Sequence, residues 1–103
     1  GFSFGSYVAY RAALVKNAPL ITIAPSVINY NYKECAVYSA PWLVIQGEND
    51  EIVSPQDVYD FVANYGSPLE LLRFQDTTHF FHGKLVALKA ELTTYLTKLV
   101  KKL

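Results

Sequence analysis

Apolar positions fall into two kinds of pattern along the chain. Leu20 to Ala24, Trp42 to Gln46 and Leu69 to Phe74 are short runs, continuously or nearly continuously apolar and rich in branched side chains. Prolines and glycines bound them: Pro25 closes the first, Pro41 and Gly47 bracket the second, and Pro68 opens the third. Such runs predict parallel strands covered on both faces, since a half-wet antiparallel sheet would alternate apolar with polar. The intervening segments follow helical spacing. From Gly5 to about Asn17, Ala9, Ala12, Ala13 and Leu14 form an apolar face, and Asn17 followed by Pro19 supplies a stop. Ser54 and Pro55 read as N-cap and first helical position, with Asp57 at the positive end of the dipole. That helix runs to about Asn64, places Val58, Phe61, Val62 and Tyr65 on one side, and ends at Gly66. Leu85, Leu88, Leu92, Leu96, Leu99 and Leu103 recur at spacings of three and four, predicting a long amphipathic helix whose last turns carry Lys98, Lys101 and Lys102. Strand and helix alternate without a repeat or a linker, so residues 1–103 read as one α/β unit with three parallel strands and flanking helices.

Composition narrows the partners. A chain of 103 residues holds at most one core. Hydrophobic residues make up 51% and charged residues 17%, a balance that suits strands buried on both sides. Nine basic side chains face nine acidic ones, so no basic field draws in nucleic acid or an anionic membrane. No apolar run approaches the length of a membrane span and no leader is visible, so the expected setting is cytoplasmic. The missing leader carries little weight, because Gly1 is not a natural initiator residue. Cys35, the one cysteine, cannot form an internal disulfide and reads as a small buried apolar residue. No cofactor is called for, and His79 and His82 lack the further ligands that a metal site needs.

The candidate chemistry sits where strands end. Gly1-Phe2-Ser3-Phe4-Gly5 has the G-x-S-x-G form of a nucleophile elbow, a sharp strand-to-helix turn that exposes a serine hydroxyl. Small residues on either side of Ser3 leave space for strand and helix to cross where a Cβ would collide. Asp50 follows the second strand in Gly47-Glu48-Asn49-Asp50, and His79 follows the third in Gln75-Asp76-Thr77-Thr78-His79. Open parallel sheets bind ligands at these strand ends. Competing assignments exist: His82 for the histidine, with His82 and Gly83 otherwise opening the last helix, and Asp76 for the carboxylate, otherwise a turn residue. Gly1 and Gly5 do not make the G-x-G-x-x-G of a dinucleotide site.

With these residues in the order Ser, Asp, His, the chain resembles the α/β-hydrolase family, and within it the small bacterial hydrolases related to dienelactone hydrolase. The likeness is carried by residues 1–9 (GFSFGSYVA), 41–55 (PWLVIQGENDEIVSP) and 78–85 (THFFHGKL). It covers the whole chain but only the second half of the family's domain. It therefore implies a partial α/β-hydrolase fold, a fragment lacking the earlier strands, including the one that enters the elbow. It also implies Ser3 as nucleophile, His79 as general base and then acid, Asp50 as the orienting carboxylate, and the backbone N–H of Phe4 as one oxyanion donor. A second donor would come from an earlier loop outside these residues. The implied substrate is a small carboxylic ester or related acyl compound. Independently of the resemblance, Tyr30 and Tyr32 follow the first strand over the same sheet edge and are candidate substrate contacts. A non-catalytic alternative stays open: an interaction fragment whose sheet is completed by another chain; in either case the incomplete sheet edge predicts self-association of the isolated fragment.

Overall fold

Strand formation follows the short runs rich in branched side chains. The computed structural model describes residues 1–33, 38–65 and 69–102, and in it β1 (Leu20–Ile23), β2 (Trp42–Gly47) and β3 (Leu69–Phe74) form one parallel sheet in the order β1-β2-β3. Trp42 is level with Leu20 on one side and Leu69 on the other, and the register runs unbroken to Gly47 and Phe74. Cys35, Gly66, Pro68 and Leu103, each given a role above, lie outside the described residues.

Three helices cover the sheet. Helix α1 spans Phe4–Lys16, α2 Pro55–Tyr65 and α3 Leu85–Lys101. Because side chains alternate along a strand, β2 serves two cores at once. Trp42 and Val44 pack with Tyr10 and Ala13 of α1 and Val58 and Phe61 of α2. Leu43 and Ile45 pack with Phe74, Phe81 and Tyr95, with Leu88, Leu92 and Leu99 of α3 alongside. Every residue of β2 is buried, as expected for a strand covered on both faces, whereas β1 and β3 are only partly so. The first core is aromatic: the Trp42 ring contacts Tyr10, Tyr32, Tyr38, Phe61 and Tyr65. The indole N–H donates to Oγ1 of Thr22 at 2.9 Å, so this buried polar atom is satisfied.

Several local expectations need correction. Helix α1 buries Ser6, Tyr10 and Ala13, while Ala12 faces outward, because the larger tyrosine ring sets which side meets Trp42. In α3 the buried centre is Tyr95; Leu85 and Leu96 of the leucine series are exposed. His82 and Gly83 lie in the turn ahead of α3 and not within it. The approach to the serine is partly present. Phe2 makes an isolated parallel bridge to Ile23, the Ser3 N–H donates to the Ile23 carbonyl at 2.8 Å, and the Ile23 N–H donates to the Gly1 carbonyl at 2.9 Å. Residues 1–3 thus run alongside β1 on the side away from β2.

Candidate active site

Four of the five non-glycine residues with positive φ lie beyond strand ends: Ser3 and Ala24 near the end of β1, Asp76 and Phe81 after β3. Left-handed backbone costs energy for a side chain with a Cβ and persists only where the surroundings enforce it. Ser3 has φ 55° and ψ −121° immediately before α1. Two contacts hold it there. A Cβ at Gly1 would overlap the Gly5 carbonyl oxygen and lie 2.5 Å from the Gly5 carbonyl carbon, so only glycine allows this crossing. The Ser6 hydroxyl, fully buried, lies 3.0 Å from the Gly1 carbonyl oxygen and 3.2 Å from the Ile23 amide, tying helix to strand. Gly5 departs from the expected symmetry: a Cβ there would meet nothing within 4 Å.

Asp50 and His79 arrive on the loops after β2 and β3, which are stitched together. The Glu48 N–H donates to the Phe74 carbonyl at 2.8 Å, and the Asn49 N–H to the Thr77 carbonyl at 2.9 Å. Gly47 permits the approach, since a Cβ there would sit 2.5 Å from the Thr77 carbonyl oxygen. Asp50 is buried, and its Oδ1 accepts from the backbone N–H groups of Ile52 at 2.8 Å and Val53 at 2.7 Å. Its Oδ2 accepts from Nδ1 of His79 at 2.8 Å and from Nε2 of Gln46 at 3.1 Å.

A carboxylate can only accept, so Nδ1 of His79 carries the proton and Nε2 is left as the acceptor. Nε2 lies 3.1 Å from Oγ of Ser3. The hydroxyl, imidazole and carboxylate therefore form one hydrogen-bonded series. His79 is 2% exposed, with the Phe2 ring 5.1 Å and the Phe80 ring 4.9 Å from the imidazole centroid. Those rings keep bulk water off the imidazole while Ser3 stays partly accessible. The Phe4 N–H, at the start of α1, is one of the amides that a helix leaves without an internal partner.

No protein-family model matches the chain. Its fold and much of its sequence are nevertheless shared with solved structures. An α/β serine hydrolase homologue from Coxiella burnetii is 37% identical with a TM-score of 0.85, over 93% of this chain and 47% of that one. A lidless α/β serine hydrolase from Xanthomonas campestris is 42% identical with a TM-score of 0.85, over 96% of this chain and 45% of that one. The chain shares the α/β-hydrolase fold of these serine hydrolase homologues over about half of their length. A putative α/β-hydrolase from Agrobacterium tumefaciens, 23% identical, shares the fold with a TM-score of 0.90, over 98% of this chain and 49% of that one. An uncharacterized protein of Rickettsia prowazekii is 29% identical over 93% of this chain and 44% of its own length. The chain spans about half the length of each.

Within this α/β-hydrolase-like fold the other candidates stand apart from the series. His82 is exposed in the turn before α3, and Asp76 is an exposed left-handed turn residue. Tyr32, one of the two candidate substrate contacts, is 1% exposed and packed among Tyr7, Tyr10, Trp42 and Phe61. Burial, with neighbouring tyrosines adding to it, pushes its phenol well above the ordinary range. Tyr30 stacks on Tyr7 and tilts against Phe4, the residue after the serine. Among the described residues no group of three or more His, Cys, Asp or Glu is placed to hold a metal, and no helix is long and apolar enough to cross a membrane. Sequence reasoning passed over Gln46, Ser6 and Gly47. The signal for Gln46 was a polar side chain closing an otherwise apolar, fully buried strand.

Proposed function

We propose that this chain carries the catalytic triad of a serine hydrolase that cleaves a carboxylic ester or related acyl bond, of the carboxylesterase or dienelactone-hydrolase-like kind. The observation that carries the reading is the unbroken series from Ser3 through His79 to Asp50, at 3.1 and 2.8 Å, headed by a serine in left-handed backbone. In the proposed cycle Ser3 Oγ attacks the substrate carbonyl carbon as Nε2 of His79 takes its proton. Charge moves to the carbonyl oxygen, where the Phe4 N–H donates. Asp50 holds the imidazolium in place, and the imidazolium gives its proton to the departing alcohol oxygen as the C–O bond breaks. Water then attacks the acyl-Ser3 ester, loses a proton to His79, and the acid leaves as that proton returns to Oγ.

The test is hydrolysis of chromogenic acyl esters by a protein that contains this chain within the family's full length. Hydrolysis that disappears in Ser3→Ala supports the reading, and hydrolysis that survives it removes Ser3 from the chemistry. We expect the isolated 103-residue chain to be weak, because losing even one oxyanion donor lowers kcat by about 10²–10³-fold. A non-catalytic interaction fragment, completed by another chain, is the second reading. It is favoured by the exposed Phe4, Val8 and Val15 on α1 and Val86 and Val100 on α3, apolar surface that a partner would cover.

A further inference from the structure

Gln46 is fully buried at the end of β2, on the same strand face as Trp42 and Val44. Its Nε2 donates to the Gly47 carbonyl at 3.1 Å and to Oδ2 of Asp50 at 3.1 Å, whereas its Oε1 is buried without a partner. Both neighbours of Nε2 are acceptors, so the amide has one orientation that pairs its N–H groups. The orphaned Oε1 makes this a costly residue to bury for stability alone.

The consequence lies at Asp50. Two backbone N–H groups hold Oδ1, so the carboxylate cannot turn without losing both. Oδ2 receives two donors, Gln46 Nε2 and His79 Nδ1. We propose that Gln46 is a positioning residue: by filling one acceptor direction of Oδ2 it leaves the other for His79, and so sets the imidazole plane that aims Nε2 at Ser3. Gln46 touches no reacting atom and acts through the carboxylate. Its catalytic consequence rests on the triad reading above; the geometric claim does not.

The experiment has two readouts. Gln46→Met keeps the length and removes the donors; Gln46→His restores an N–H. In the 103-residue chain, proton NMR follows the His79 Nδ1–H, assigned by its absence in His79→Gln. The proposal predicts faster exchange of this proton with water in Gln46→Met, and recovery in Gln46→His. In the full-length protein it predicts a kcat about 10- to 100-fold lower with KM unchanged, the size of loss seen when a group orienting another ligand is removed, again recovered in Gln46→His. Unchanged exchange in a folded Gln46→Met overturns the proposal, as does a loss of kcat that Gln46→His fails to recover. If Gln46→Met does not fold, Gln46→Leu, which also removes the donors, is read by the same criteria. If the wild-type protein hydrolyses no ester, the function fails while the exchange measurement still decides the role of Gln46.

Discussion

Oγ of Ser3 lies 3.1 Å from Nε2 of His79, although 76 residues separate them along the chain. Neither residue is near the other for local reasons. Ser3 is fixed by its pairing with β1 and the start of α1, and His79 by a loop stitched to the loop that carries Asp50.

On the proposed triad reading these three side chains act as a unit, so their removals should not add. In a protein that contains this chain within the family's full length, the reading predicts that Ser3→Ala and His79→Ala each lower kcat by about 10⁶-fold, and Asp50→Asn by about 10⁴-fold. Steady-state kinetics of single and double variants check this. Activity that survives in His79→Ala and disappears in His82→Ala would transfer the base to the exposed histidine.

The glycines make a sharper test of the backbone. Gly47→Ala sets a Cβ against the Thr77 carbonyl, an unyielding backbone group, and should cost about 1–3 kcal/mol in chemical denaturation. It should also move the Asp50 loop from the His79 loop, lowering activity. Gly5→Ala should be neutral or stabilising by up to about 1 kcal/mol, since its Cβ enters open space near the start of a helix. Equal losses at the two positions would refute the crossing geometry.

Phe81 supports the histidine loop from behind. It is 1% exposed and packs edge-on against Phe74 at 5.3 Å. Phe81→Ala should cost about 3–5 kcal/mol. That is a large share of the stability of a small domain. Urea melts measure it, and a change below about 1 kcal/mol would show that the cluster collapses without loss.

Alkali should unfold the chain for a stated reason. Burial raises the Tyr38 phenol to about 12, and its O–H donates to the Ala18 carbonyl. The unfolded phenol titrates near its ordinary value of about 10. Above that pH the unfolded state loses its proton first. The stabilising contribution is therefore complete below about pH 10 and disappears as pH rises toward 12. Burial also raises Tyr95, which acts in the same direction. Tyr38→Phe should reduce the loss of melting temperature between pH 9 and 11 by a measurable margin; an unchanged slope would contradict this account.

Much of this was legible in the sequence, and the reasons are local. The runs at Leu20, Trp42 and Leu69 are short, branched and bracketed by glycine or proline, so strand identity and the loops beyond them could be read directly. Asp50 and His79 each follow such a run, and Ser3 stands in the G-x-S-x-G pattern. What could not be read depends on the approach of distant backbones. The need for glycine at Gly47 comes from Thr77, 30 positions later in the sequence. Tyr95 displaced Leu96 from the core because the orientation of α3 follows Leu43, Ile45 and Phe74, not its own leucine spacing. Gln46 looked like the polar end of a strand until the carboxylate beside it was visible.

The central claim is that His79 activates Ser3. The most direct measurement is labelling by a fluorophosphonate probe, with the modified residue mapped by peptide mass spectrometry and run on wild type, Ser3→Ala and His79→Ala. The account predicts adduct on Ser3 in the wild-type protein, none in Ser3→Ala, and a rate in His79→Ala slower by orders of magnitude. A folded, full-length wild-type protein that leaves Ser3 unmodified, or labels as fast without the imidazole, would contradict it.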